Sequence, residues 1–66
     1  MEISSLAQRI RAFRKLKGHT QQELAELLGV SVAVLGAVER GSRKPDGKLL
    51  KKIAEALNID VEELTS

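Results

Sequence analysis

Apolar residues recur along this chain at the three- and four-residue intervals that place them on one face of an α-helix. Leu6, Ile10 and Phe13 mark a first stripe, Leu24, Leu27 and Leu28 a second, Leu35 and Val38 a third, and Leu50, Ile53, Ala54 and Leu57 a fourth. No long two-residue alternation competes with them, so the pattern predicts an all-α fold. The breaks between stripes carry the chemistry of helix ends. Ser5 with Gln8, Thr20 with Glu23, and Asp60 with Glu63 each set a side-chain acceptor three residues before an acid or amide. That reciprocal pattern satisfies the free amides at a helix start. Ser31 and Asp46 serve as simpler caps of the third and fourth helices. Gly18, Gly29, Gly41 and Asn58 stand just beyond the apolar periods, where a left-handed residue closes a helix. The only proline, Pro45, introduces the fourth helix. Five helices are expected, at about 4–17, 21–28, 32–40, 47–57 and 61–64.

Length limits what these helices can build. A chain of 66 residues makes one small domain, 1–66, near the lower limit of what a single core stabilises. There is no Cys to add a disulfide, so caps, close helix packing or a second copy must contribute. One His and no Cys leave little material for a metal site, and no Gly-rich loop follows a strand to cradle a nucleotide. The expectation is a non-enzymatic protein with no cofactor, no metal and no small-molecule ligand. No run approaches the ~20 apolar residues of a membrane span. The N-terminal MEISSLAQRI lacks the basic-then-apolar order of a signal peptide. The expected location is therefore the cytoplasm.

Charge changes the picture through its distribution, because the net value is only +2. Arg9, Arg11, Arg14, Lys15 and Lys17 form one basic block; Arg40, Arg43, Lys44, Lys48, Lys51 and Lys52 form another, interrupted only by Asp46. Between them lie Glu23, Glu26 and Glu39, and the tail is acidic through Glu55, Asp60, Glu62 and Glu63. Two basic blocks flanking a mildly acidic centre point to a surface that grips a polyanion at its edges. Solvated helix faces are the plainer reading of the same charges.

The stretch from Thr20 to Arg40 decides between them. Two short helices are joined by Gly29-Val30-Ser31, and Ala25 is small enough to let the second approach the first closely. Leu24, Leu28, Val30, Leu35 and Val38 fill the wedge between them, a helix-turn-helix arrangement that presents its second helix as a protruding rod. The segments TQQELAELLGVS, LGAVERGSRKPD and LLKKIAEALNIDVEEL, within a match that runs from about Leu6 to Leu64, resemble the Cro/cI-type helix-turn-helix domains of phage repressors and bacterial regulators. The resemblance implies a compact five-helix bundle of the lambda-repressor-like type. It also implies a transcriptional regulator with double-stranded DNA as partner, usually acting as a homodimer.

Matched residue by residue, the resemblance implies that Thr20, Gln21 and Gln22 at the start of the second helix meet a phosphate. Free amides and the positive dipole end favour an anion there. It implies that Arg14 and Glu39 form a buried structural ion pair. It places Arg40, Ser42, Arg43 and Lys44 beside the sugar-phosphate backbone, supported by Lys48 and the amides of residues 47 and 48. Lys15, Lys17 and Arg9 are weaker candidates, and His19 reads as a surface residue. Ile59, Val61 and Leu64 are candidates for a dimer patch, with packing onto the core as the alternative.

One departure stands out. The base-reading positions of the family match Val32, Ala33, Gly36 and Ala37, with Val34 nearby, and none offers a side-chain hydrogen bond. Helical geometry sets 32, 33, 36, 37 and 40 on one face and 31, 35 and 38 on another, so the outward face is the apolar one. Phosphate grip with methyl contacts and shape readout is the leading account. The alternatives are a docking face for another protein or a second copy, and a scaffold whose face has ceased to bind.

Overall fold

In a computed structural model, residues 3 to 66 are described and form five helices: α1 (Ile3–Leu16), α2 (Gln21–Leu28), α3 (Val32–Arg40), α4 (Gly47–Leu57) and α5 (Val61–Thr65). The architecture is all-helical among these residues. Helix α3 packs on α1 and α2, α4 closes the far side of α2, and α5 folds back onto α1 and α4. Ile10, Leu24, Leu35, Val38, Ile53, Leu57 and Leu64 meet at the centre with at most 1% of their surface exposed.

The caps are where the side-chain chemistry places them, with one exception. Thr20 Oγ1 accepts from the Glu23 amide at 3.0 Å while Glu23 Oε1 accepts from the Thr20 amide at 2.8 Å, a closed capping box. Ser31 accepts from the Val34 amide at 3.2 Å and Asp46 from the Leu49 amide at 2.7 Å. At α5 the Glu63 carboxylate accepts from the Asp60 amide at 3.0 Å. The exception is Ser5, which is the third helical residue of α1 and not its cap. The apolar stripe of α1 fixes which face is buried but leaves its first turn undetermined.

Gly29 has φ of 72° and donates its amide to the carbonyls of Ala25 and Glu26. This left-handed residue ends α2 without a side-chain clash, and Ser31 caps the next helix two residues later. The axes of α2 and α3 consequently turn by 110°.

Two leucines do not join the core. Leu27 is 61% exposed, because the inward face of α2 centres on Leu24, Ala25 and Leu28 and leaves residue 27 at its rim. Leu16, at the end of α1, is also exposed. Leu64 is fully buried between α1 and α4, so it belongs to the core and is unavailable to a surface patch; Ile59 and Val61 are half-buried against the same core. No single described helix is long and apolar enough to cross a membrane.

Candidate nucleic-acid interface

Helix α3 is held by its inward face through one polar cluster. Arg14 Nε donates to Glu39 Oε2 at 2.7 Å and Arg14 Nη2 to Glu39 Oε1 at 3.1 Å. Their side chains are only 9% and 2% exposed. The remaining guanidinium nitrogen donates to the His19 carbonyl at 2.9 Å, and Gln21 Nε2 donates to Glu39 Oε1 at 3.1 Å. Three helices therefore meet on one carboxylate whose buried oxygens are all engaged, and Arg14 ties in the α1–α2 connection. This satisfaction offsets the desolvation of the pair and sets the tilt of α3.

Gln21 has one amide hydrogen committed to that cluster, so its side chain positions Glu39 as well as standing at the start of α2. Its neighbours Thr20 and Gln22 are exposed. The capping box uses the amides of Thr20 and Glu23, leaving those of Gln21 and Gln22 to point out of the helix start as donors. Hydrogen bonding from the Thr20 backbone, then from its hydroxyl, holds the Glu23 carboxyl below the usual carboxylate range, so this helix start already carries one anion.

The outward side of α3 is narrower than its periodicity predicts. Val32 is 47% exposed and Ala33 is exposed, whereas Ala37 is half-buried and Gly36 is buried. The cover on Gly36 is polar. A β-carbon built there would stand 3.1 Å from Arg40 Nη1 and 3.8 and 3.9 Å from the Gln21 Oε1 and Nε2 atoms. The strip is thus split by two polar side chains, which weighs against its use as a continuous apolar docking face.

The basic loop after α3 is ordered by that helix's last carbonyls. Gly41 closes α3, and the Ala37 carbonyl accepts from the Ser42 amide, the Arg43 amide and Ser42 Oγ, at 3.0, 3.3 and 3.1 Å. Ser42 therefore spends its hydroxyl hydrogen internally. Arg43, Lys44 and Lys48 are exposed, and Arg40 is exposed beyond its contact with Gly36. Between the α2–α3 turn and the start of α4 lies an open groove of about 450 Å³. Val30, Ser31 and Val34 line it from the turn side, and Arg43, Lys48 and Lys52 from the other. Lys52 was not singled out by motif matching; its four-residue spacing from Lys48 along α4 is the signal that finds it. Lys15 and Lys17 are exposed, Arg9 donates to the Ser66 carbonyl, and His19 is half-buried at the α1–α2 connection.

The comparisons agree with this geometry. The family model described as helix-turn-helix matches residues 10–64. The HTH-type transcriptional regulator YazB of Bacillus subtilis is 50% identical over 64 residues, covering 97% of this chain and 93% of YazB. The restriction-modification controller protein C.AhdI of Aeromonas hydrophila superposes with a TM-score of 0.90 at 39% identity, over 94% of each chain. SinR, a master regulator for biofilm formation crystallised in complex with DNA, gives a TM-score of 0.87 at 35% identity, over 92% of this chain and 98% of that one. Coverage, identity and superposition agree, and the chain belongs to the helix-turn-helix family.

Proposed function

We propose that this protein is a DNA-binding transcriptional regulator that acts by occupying a site on double-stranded DNA, with α3 in the major groove. It is a binding protein and not an enzyme, as are the regulators to which it is related. The observation that carries the reading is the union of two features on one side of the fold. A helix held at 110° to its predecessor is flanked by the open amides of Gln21 and Gln22 on one side. On the other stand the exposed Arg43, Lys44 and Lys48. An α-helix fits the major groove, and amides and cations at its borders fit the phosphates on either wall.

Phosphate contact supplies most of the affinity in this account, with Arg43, Lys44, Lys48 and Lys52 as the cationic wall. Gln21 and Gln22 form the opposite wall through backbone amides, Thr20 contributes by capping that helix start, and Ser42 by ordering the loop. The protein works as a homodimer that sets two copies of α3 about one DNA turn, ~34 Å, apart on a two-fold site. Its place of action is the cytoplasm, at the nucleoid when bound.

Titration of labelled duplex DNA across a range of salt tests the reading. Affinity should fall steeply with salt, and Arg43→Ala or Lys44→Ala should each weaken binding to every sequence and flatten the logarithmic slope by about one. No binding to any duplex at low salt would overturn it.

A further inference from the structure

Val32, Ala33 and Ala37 offer base edges only methyl groups, which leaves a recognition helix without a side-chain donor or acceptor at these positions. Arg40 lies seven residues after Ala33 and four after Gly36, on the same side of α3. Helical side chains lean toward the N-terminus, so residue 40 covers the turn that contains residue 36. That is the arrangement observed: Arg40 Nη1 is 3.1 Å from the point a β-carbon of residue 36 would occupy. A β-carbon at 36 would push the guanidinium away by a few tenths of an ångström, and a larger side chain by more. Glycine leaves the place open.

The charge of this guanidinium is also uncommitted. Its neighbour Glu39 is turned inward and fully taken by Arg14 and Gln21. Among the described residues the ion pair of Arg14 with Glu39 is the only one, so Arg40 has no carboxylate partner. Arg40 therefore presents several unpaired N–H groups in a rigid fork, laid beside the helix that enters the groove.

We propose that Arg40, folded back across Gly36, is the guanine-reading group of this otherwise apolar recognition helix. The inference rests on the DNA-binding reading and changes the part assigned to Arg40 within it, from a phosphate contact to a base contact. The fork pairs with the O6 and N7 acceptors that guanine alone presents together in the major groove. Arg43 and Lys44, beyond Gly41, keep the phosphates. Gly36 is then a specificity residue through the space it leaves, with the Gln21 side-chain amide also beside that space.

Selection from random duplexes, followed by binding to the selected and a scrambled duplex, tests this. The wild-type protein should enrich a guanine at one fixed position of each half-site. Replacing that guanine by 7-deazaguanine, which lacks the N7 acceptor, should lower affinity for the wild type and not for Arg40→Met, which has no donor to lose. The ratio of affinities for selected and scrambled duplex should fall about 10- to 100-fold in Arg40→Met, which keeps the stem and loses every donor. Gly36→Ala, which favours the helix, should reduce the same ratio by crowding the guanidinium. A wild-type site without a fixed guanine, or one whose preference is unchanged in Arg40→Met, overturns the inference and leaves DNA binding standing. Failure to bind any duplex at low salt overturns both.

Discussion

Glu39 is the residue on which three helices converge: its backbone belongs to α3, and its carboxylate accepts from Arg14 of α1 and Gln21 of α2. Twenty-five positions separate Arg14 from Glu39, so no local pattern links them; the pairing was legible only through resemblance to a family. Removing one partner leaves a buried charge with nothing to balance it. Glu39→Ala should cost about 3–5 kcal/mol in urea unfolding, whereas the paired change Arg14→Met with Glu39→Leu should cost clearly less. Equal losses in the two variants would mean that packing around the pair, and not its charge, holds α3. Gly36 shows the opposite limit of sequence reading. Periodicity assigned it to the outward face, but the side chains of Gln21 and Arg40 bury it, and side-chain cover from another helix leaves no trace in a helical wheel.

Helix boundaries were legible wherever a side chain closes hydrogen bonds within its own turn. Thr20, Ser31 and Asp46 cap their helices through contacts three residues away, so the local sequence contains both partners. Ser5 with Gln8 has the same pattern and does not cap, because α1 already runs through it. Helix α3 permits a test of its own. Ala33 is exposed in the first turn, where an acid complements the helix dipole, whereas Ala37 is half-buried near the C-terminal end, where an acid opposes it. Ala33→Asp should therefore keep or slightly raise the melting temperature by circular dichroism while abolishing duplex binding through repulsion from the groove. Binding that survives would place α3 outside the groove.

The whole molecule depends on a core shared by all five helices, and its smallest helix is anchored in it by Leu64, with Val61 packed alongside. Leu64 is 0% exposed, and α5 contacts both α1 and α4 through the ground around it. Leu64→Ala should cost about 2–5 kcal/mol by denaturant unfolding. Domains of this length have roughly 3–10 kcal/mol in total, so the variant should be partly unfolded near physiological temperature. A loss below about 1 kcal/mol would show that α5 docks independently of the core.

From its apolar periods, caps and left-handed closers, the sequence by itself determined five helices, their faces and the helix-turn-helix between α2 and α3. Those are properties of hydrogen bonds and side chains one turn apart. Tertiary structure decided which polar groups share a carboxylate, that Leu64 is core while Leu27 is surface, and that the outward face of α3 is interrupted at Gly36 by Gln21 and Arg40. Each of these depends on which helix lies over which residue, a relation set by packing all five helices at once.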